Sequence, residues 1–217
     1  MRWGMLIDLI KCAACYGCAI KCKQEHFLPP FVMWGKILMS EEGKYPNAII
    51  NKVPVLCNHC EDAVCVEVCP TGATEQREDG IVWVDQDQCI GCRYCLVACP
   101  YQARTYNDDE EEYFPGQGET DYEKMRKVLY PLQKGVVTKC NFCKERIDEG
   151  QEKGLKPGED RDATPACVNA CPNKARYFGD LDDPDSNISV LIREKRAVPF
   201  HPEHGTDPQV YYVMTKS

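Results

Sequence analysis

The chain has 217 residues, of which 43% are hydrophobic, and a formal net charge of −8 at pH 7. This acidic balance argues against nucleic acid as a partner, because a nucleic-acid-binding protein needs a basic face. No run of about 18 apolar residues is present, so the chain is not expected to span a membrane by itself. Sixteen of the hydrophobic residues are cysteines, which leaves only a modest conventional core. Something besides apolar burial is therefore expected to stabilise the fold.

Two stretches of the chain predict short β-strands. In the first, hydrophobic residues alternate with other residues ahead of the first cysteines; they are Trp3, Met5, Ile7 and Leu9. In the second, TEQREDGIVWVD, two β-prone runs are joined at Asp79–Gly80, which predicts a hairpin. Short strands around the cysteines, with short helices and long loops between them, indicate an α+β fold.

All sixteen cysteines fall into four groups, and none is left over. We call these groups motifs 1 to 4. In chain order the motifs contain Cys12, Cys15, Cys18 and Cys22; Cys57, Cys60, Cys65 and Cys69; Cys89, Cys92, Cys95 and Cys99; and, split into CNFC and PACVNACP, Cys140, Cys143, Cys167 and Cys171. Four complete sets of four thiols predict four metal sites.

Three chemistries compete as explanations for these thiols. Disulfides need an oxidising compartment, and cysteines this close in sequence form strained bridges. Zinc sites prefer two C-x2-C pairs separated by a dozen or more residues, a spacing that only motif 4 approaches. The run from Cys89 to Pro100 has the spacing C-x2-C-x2-C-x3-C-P, which is the bacterial ferredoxin pattern for [4Fe–4S] clusters. The prediction is therefore four iron–sulfur clusters, bound by all sixteen cysteines.

The motifs belong to a repeat. Three of them end in Cys-Pro and continue with similar residues, in CPTGATEQ, CPYQARTY and CPNKARYF, and DLIKC before motif 1 matches DQDQC before motif 3. Such a repeat indicates one supersecondary unit used several times. We predict a unit made of a strand, a cluster-binding loop, a short helical turn and a second strand.

The ferredoxin pattern also predicts which cysteines share a cluster, because its fourth cysteine ligates the neighbouring cluster. The simplest solution pairs motif 2 with motif 3 and motif 1 with motif 4. The alternative, one cubane for each run, is disfavoured by the helical step before the last cysteine. The predicted sets are site I, Cys12, Cys15, Cys18 and Cys171; site II, Cys22, Cys140, Cys143 and Cys167; site III, Cys57, Cys60, Cys65 and Cys99; and site IV, Cys69, Cys89, Cys92 and Cys95.

This pairing predicts two ferredoxin-like units, each with two [4Fe–4S] clusters, one nested in the other. The outer unit spans residues 1–50 and 136–190, and the inner unit spans residues 51–105. Residues 106–135 form an inserted loop, and residues 191–217 form a C-terminal extension.

Several residues outside the motifs have two interpretations. The aromatic and proline-rich stretch 26–36 is either a packed cover over a cluster or part of a subunit interface, and the polar segment 113–135 is either an inserted loop or a docking element. The histidines are interpreted as structural or surface residues, with a cluster hydrogen bond considered for His59; they are His26, His59, His201 and His204. Cations that would offset cluster charge, or else are simply solvated, are Lys21, Arg93, Lys139 and Lys144.

The order of the motifs, the run Cys57–Pro70 and the stretch GDLDDPDSNISVLI resemble the iron–sulfur subunits of the dimethyl-sulfoxide-reductase family of molybdopterin oxidoreductases. RWGMLIDLIKC and GTDPQVYYV are most similar to the respiratory arsenate, polysulfide and tetrathionate reductase group. One departure is that Lys23, rather than proline, follows Cys22. No ligand is lost by it.

The resemblance implies a non-catalytic electron-transfer subunit of an anaerobic respiratory complex. Its partner would be a large molybdenum or tungsten bis-pterin subunit, with a quinone-linked membrane subunit or a soluble carrier at the other end. A free-standing polyferredoxin, or the beta subunit of a formate dehydrogenase or hydrogenase complex, are the alternatives. Because MRWGMLIDLIKC lacks the features of a signal peptide, co-export with the partner to the periplasm or the outer face of the membrane is expected. A cytoplasmic location is the alternative.

Overall fold

A computed structural model describes residues 1–108 and 112–214. The predicted inserted loop and C-terminal extension each extend over residues outside these ranges. The helices are α1 Gly17–Glu25, α2 Val64–Glu67, α3 Tyr94–Ala98, α4 Asp121–Leu129, α5 Lys144–Glu152, α6 Ala166–Asn169 and α7 Asn187–Lys195. The strands are β1 Trp3–Asp8, β2 Lys36–Glu42, β3 Ile49–Val55, β4 Thr74–Gln76, β5 Val82–Val84, β6 Arg104–Asn107, β7 Val136–Lys139, β8 Arg176–Asp180, β9 Val198–Pro199 and β10 Val210–Val213. Short helices and strands mixed along the chain confirm the α+β class.

The largest sheet has four strands in the order β8-β1-β10-β9. Strand β1 is antiparallel to β8 and parallel to β10, with Met5 opposite both Phe178 and Val210. The alternation in sequence predicts one buried face, but all six residues of β1 are buried. The reason is that Leu6, on the second face, packs against Ile188 of α7, so the sheet is covered on both sides.

Among the described residues, three two-stranded sheets complete the structure: β2–β3, β4–β5 and β6–β7. In the second, Thr74 lies opposite Val84, and the chain reverses through Asp79 and Gly80, as predicted. Gly80 has a φ of 81°, and the Asp79 carboxylate accepts a hydrogen bond of 3.2 Å from the Ile81 amide. In the third, β6 pairs with β7, so the two ends of the long segment that connects them lie side by side.

That segment contains a helix. Thr120 caps α4 by accepting from the Glu123 amide while the Glu123 side chain accepts from the Thr120 amide, which is a capping box. The Tyr122 hydroxyl donates to the Lys23 carbonyl at 2.8 Å and the Tyr113 hydroxyl donates to the Leu28 carbonyl at 2.7 Å. The segment therefore packs against the stretch 26–36.

The stretch 26–36 is mostly buried itself. Leu28, Val32 and Trp34 are core residues, whereas Phe31 is 76% exposed. Packing of this kind supports the interpretation of a cover. In the described residues, no helix combines the length and apolar character needed to cross a bilayer.

Candidate metal centres

The four cysteine motifs share one backbone feature. The residue before the second cysteine has a left-handed conformation in every motif; these residues are Ala14, His59, Gly91 and Phe142, with φ values of 53°, 44°, 67° and 55°. For a residue with a side chain this conformation costs about 1 kcal/mol or more, so its occurrence at Ala14, His59 and Phe142, with glycine at the equivalent position of motif 3, indicates a functional constraint. Such turns direct successive amide N–H groups into a concavity that binds anions. The loops are shaped to surround a negatively charged group.

A second repeated turn follows the last cysteine of motifs 2, 3 and 4. Gly72, Gln102 and Lys174 stand three residues after it, each in the left-handed region. Amides just beyond this turn donate to the cysteine sulfur, from Thr74 to Cys69 Sγ at 3.4 Å and from Ala175 to Cys171 Sγ at 3.2 Å. Partial burial alone would raise the pKa of Cys69, but hydrogen bonds from Thr71 and Thr74 outweigh it and lower that pKa. These contacts favour the thiolate, which is the form that binds metal.

Motif 1 lacks this second turn, and Lys23 explains the difference. The other three motifs have a proline after the last cysteine, and proline is incompatible with the interior of a helix. With Lys23 in its place, α1 continues to Glu25. The Lys23 ammonium donates to the carbonyls of Pro29, Pro30 and Val32 at 2.6, 2.8 and 3.2 Å. Lys23, which replaces the proline of the other motifs, thus holds the stretch 26–36 against motif 1.

The cysteines predicted for site II are all buried. Burial raises the pKa of the Cys22 thiol well above its usual value, and proximity to Cys140, Cys143 and Cys167 raises it further. The four sulfurs therefore face one another, although they come from three distant parts of the chain.

Site III shows the same convergence. Burial raises the pKa of Cys60 to about 12, and interactions with Cys57, Cys65 and Cys99 add to the effect. Cys99 comes from motif 3, and the other three cysteines come from motif 2.

The two remaining sites lie nearer the surface. One cavity is lined by all the cysteines predicted for site I: Cys12, Cys15, Cys18 and Cys171. In site IV, Cys95 of motif 3 interacts with Cys69 of motif 2. Of the sixteen cysteines, all within the described residues, only Cys15 and Cys92 are exposed.

Neighbouring sets are close enough for their charges to interact. Cys167 of site II interacts electrostatically with Cys18 of site I, Cys140 of site II with Cys57 of site III, and Cys95 of site IV with Cys65 of site III. These charge interactions link the sets in the order I, II, III, IV.

The donor set fits iron–sulfur clusters. A buried group of four thiols disfavours its own ionisation, so a cation must replace the protons if the thiols are to become thiolates. Four thiolates with amide N–H groups directed at the sulfurs are the environment of a [4Fe–4S] cluster.

Two buried arginines were missed from the sequence. Arg104 and Arg176 each follow the last cysteine of a motif by five residues, in CPYQAR and CPNKAR, and both interact with cysteine sulfurs. That repeated arginine was the available signal.

The cations predicted from the sequence have mixed outcomes. Lys139 is buried beside Cys140. Lys21 pairs with Glu25 at 3.2 Å, Arg93 lies over the Tyr106 ring, and Lys144 lies over the Trp83 ring. These three cations lie at the surface, which agrees with the interpretation that they are solvated and does not support a role in offsetting cluster charge.

The histidine at a cysteine sulfur is His26, with Nε2 3.2 Å from Cys143 Sγ. Burial lowers the pKa of His26 to about 4, so the ring is neutral at physiological pH. His59 instead accepts from the Val82 amide at 3.0 Å and stacks on Phe142. His201 and His204 are exposed. Together with Glu203 they form a group whose possible ligand atoms all lie within 4.8 Å of one another, near enough to hold a single metal ion.

Cysteine-lined loops of ferredoxin type on an α+β scaffold define an iron–sulfur protein. Residues 49–130 match the family model of a 4Fe-4S dicluster domain. The chain is 40% identical, over 98% of its length and 79% of the relative's, to an iron–sulfur subunit from Halobacterium salinarum that is assigned to a dimethyl sulfoxide reductase. It is 38% identical to the arsenate respiratory reductase iron-sulfur subunit ArrB of Shewanella sp., with 99% of this chain and 97% of the relative covered. It is also 38% identical to a selenate reductase subunit of Mesobacillus selenatarsenatis, with 98% and 72% covered.

The chain belongs to the iron–sulfur subunits of the dimethyl-sulfoxide-reductase family, as the resemblance in sequence predicted. It carries [4Fe–4S] clusters and is the electron-transfer subunit rather than the catalytic one of an oxidoreductase complex. A catalytic subunit is therefore its partner. The relatives do not favour a free-standing polyferredoxin or a formate dehydrogenase or hydrogenase subunit.

Proposed function

We propose that this chain binds four [4Fe–4S] clusters and relays electrons to or from a molybdenum or tungsten bis-pterin catalytic subunit. The observation that carries the proposal is the convergence of cysteines from separate motifs, as in the buried group of Cys22, Cys140, Cys143 and Cys167. Thiolates arriving from several directions suit a cubane, whose irons stand at the corners of a tetrahedron. The clusters would supply one-electron transfer, and the chain holds them close together.

The ligand sets of this proposal are sites I to IV. Sites I and II would form the outer ferredoxin-like unit, from residues 1–50 and 136–190. Sites III and IV would form the inner unit, from residues 51–105. The exchange of the last cysteine between motifs is supported by the interaction of Cys99 with Cys57 and Cys65 and by the cavity that Cys171 shares with motif 1.

We infer a linear wire whose ends are sites I and IV. The charge interactions between sets run in this order, and each end has the one exposed cysteine of its set. Apolar side chains surround both ends, an arrangement that suits protein partners. They are Ile10, Tyr16 and Ile20 near site I, and Ile90, Tyr94 and Val97 near site IV. One end would face the catalytic subunit, and the other would face a quinone-linked membrane subunit or a soluble carrier.

Anaerobic iron and sulfide analysis of the purified chain tests the number of clusters. We expect about 16 iron and 16 sulfide per chain. About eight iron, or stoichiometric zinc, would contradict the proposal. Native mass spectrometry of the complex tests the partner, and a large subunit without a bis-pterin cofactor would contradict that part.

The location is a separate proposal. Clusters inserted in the cytoplasm require an export route for folded cargo, so the chain would travel on the partner's twin-arginine signal to the periplasm or the outer face of the membrane. Cell fractionation with and without the partner gene tests this. A chain that stays in the cytoplasm while the assembled complex is active would support the cytoplasmic alternative.

A further inference from the structure

Three basic side chains are buried next to the cysteines. Arg176, Lys139 and Arg104 have exposed fractions of 6%, 3% and 5%. Burying a charge is costly unless an opposite charge or hydrogen bonds compensate for it. Within residues 1–108 and 112–214, none of the three forms an ion pair with a carboxylate. Their charge is left to be balanced by the cysteine sulfurs.

Arg176 stands between sites I and II. Its Nη1 lies 3.7 Å from Cys167 Sγ of site II and 3.5 Å from Met5 Sδ. It is attracted to Cys18 of site I as well as to Cys140 of site II. The guanidinium therefore faces thiolates of both sets.

Arg104 occupies the equivalent place between sites III and IV. It is attracted to Cys65 and Cys57 of site III and to Cys95 of site IV. Nη1 donates to the Thr74 hydroxyl at 3.2 Å. Its Nη2 is buried and has no hydrogen-bond partner in the part of the chain that the structure describes. The nearby sulfurs of Cys65 and Cys95 are the acceptors that metal-bound thiolates would offer to this guanidinium.

Lys139 lies between motif 4 and motif 2, because Val82, which accepts from its ammonium, also donates through its amide to His59 of motif 2. It precedes Cys140, and its ammonium donates to the carbonyls of Val82 and of Cys140, the latter at 2.8 Å. Cys140 of site II is attracted to this ammonium and also interacts with Cys57 of site III. Both hydrogen-bond acceptors are neutral carbonyls, so neither cancels the positive charge of Lys139, which acts on Cys140 of site II and on His59, next to Cys60 of site III.

We propose that one buried cation in each gap of the wire stabilises the reduced state of the two clusters beside it, so that reduction potentials are set in overlapping pairs. This inference rests on the proposed row of four clusters. Reduction adds one negative charge to a cluster, and a nearby cation lowers the free energy of that state more than that of the oxidised state. The effect is strong because the effective dielectric constant is low in the interior. An electron that moves across a gap stays beside the same cation.

Potentiometric titration of the assembled complex, followed by electron paramagnetic resonance, tests the proposal. Arg176→Met should lower the potentials of sites I and II, Lys139→Met those of II and III, and Arg104→Met those of III and IV. For each flanking cluster we expect at least about a tenfold fall in the reduced-to-oxidised ratio at fixed potential, which is about 59 mV for one electron. The other two clusters should change by less than about threefold.

Two controls separate charge from packing. Arg176→Lys and Arg104→Lys keep the charge and should restore most of the potential. Arg126→Met removes another buried arginine, one that lies beside Glu123 in α4, and should leave all four potentials unchanged.

The iron content of every variant distinguishes the possible failures. Unchanged potentials in methionine variants that hold all their iron would overturn the role of the cations and leave the four-cluster proposal intact. A wild-type chain with about eight iron would instead overturn the proposed function. If the methionine variants lose iron, glutamine variants are measured. If the glutamine variants at all three positions also lose iron, the cations have a structural role and the proposal is overturned.

Discussion

Sites II and IV each contain four cysteine thiols, but their surroundings differ. All cysteines of site II are buried, whereas in site IV only Cys95 is buried and Cys92 is exposed. Both sets are held by loops with the same left-handed turn, at Phe142 in motif 4 and Gly91 in motif 3. The repeat therefore determines how a loop binds, and the structure packed around it determines how much water reaches it.

The cause of the difference lies in the segments that pack around each repeat. The four-stranded sheet contains β1, which precedes motif 1, and β8, which follows motif 4, and the stretch 26–36 covers site II through the contact of His26 with Cys143. The strands between motifs 2 and 3, β4 and β5, form a separate hairpin of three residues each. Burial protects a cluster and couples it to the core, while exposure makes a cluster accessible to a partner.

The strongest test of this contrast compares Cys143→Ser with Cys92→Ser. Cys143→Ser should abolish folding, because a lost cluster removes on the order of 10 kcal/mol of metal-linked folding free energy, comparable with the stability of a whole domain. Cys92→Ser should leave a folded chain with about 12 to 15 iron, since water or serine oxygen can reach the exposed corner. Anaerobic iron analysis and circular dichroism measure both outcomes. Equal losses of iron and of folded structure in the two variants would contradict the predicted difference between the buried and the exposed site.

The ligand pairing is tested by replacing cysteines at the two ends of the outer unit. Cys171→Ser should perturb the same paramagnetic signal as Cys12→Ser, and it should leave the signal associated with Cys22 largely intact. One of about four signals is expected to change, as followed by electron paramagnetic resonance. A shared effect of Cys171 and Cys167 on a single cluster would show that motif 4 is not divided between sites I and II.

A smaller effect is expected at the aspartates that begin the repeat, Asp8 before motif 1 and Asp85 before motif 3. Each accepts a hydrogen bond from the amide two residues later, that of Ile10 at 3.0 Å and that of Asp87 at 2.8 Å. Asp8 is also buried and binds Lys195 at 2.7 Å. Asp8→Asn should lower the free energy of unfolding by about 3 kcal/mol, and Asp85→Asn by about 0.5 to 1 kcal/mol.

The pH dependence of the Asp8 effect is set by its pKa. Burial alone would raise this pKa, but hydrogen bonds from Lys195, Lys11 and Ile10 outweigh it and lower the pKa below its usual value. The contribution of Asp8 is therefore fully present above about pH 4 and is lost only below it. Anaerobic thermal unfolding should give the same difference between wild type and Asp8→Asn at pH 6 and at pH 8. A difference that falls between these values would contradict the assignment.

The smallest expected effect concerns the hydrogen bond from His26. A metal-bound cysteine sulfur has no proton, so the neutral ring must donate through Nε2 to Cys143. His26→Phe keeps the ring packing against Trp34, whose centroid is 4.6 Å away, and removes the donor. The potential of site II should fall by up to about 59 mV, a change of tenfold or less in its reduced-to-oxidised ratio. Trp34→Phe alters the same packing at a residue whose indole donates to Thr138 rather than to a sulfur, and it is the control. An equal shift in both variants would attribute the effect to packing.

Much of the binding loops could be predicted from the sequence, because cysteine spacing and repeated residues are local signals. The hairpin at Asp79–Gly80 was predicted for the same reason. The contacts of Arg104 and Arg176 were not predicted, since an arginine in a repeat is indistinguishable from a surface residue until the chain folds over it. The sulfur contact of His26 depends on the packing of residues 113–135 against its loop, a long-range arrangement that no local pattern encodes.

The position of β1 has a consequence for biosynthesis. Its two neighbours in the sheet are β8 and β10, so the strand before the first cysteine motif pairs with strands that are translated much later. Contacts between residues so distant in sequence form slowly. Trp3–Asp8 gains its first strand partner only when Arg176–Asp180 have been translated. The sheet beside motif 1 closes only after Val210–Val213 have left the ribosome, so the order of translation delays the structure around motif 1 until all four motifs have been made.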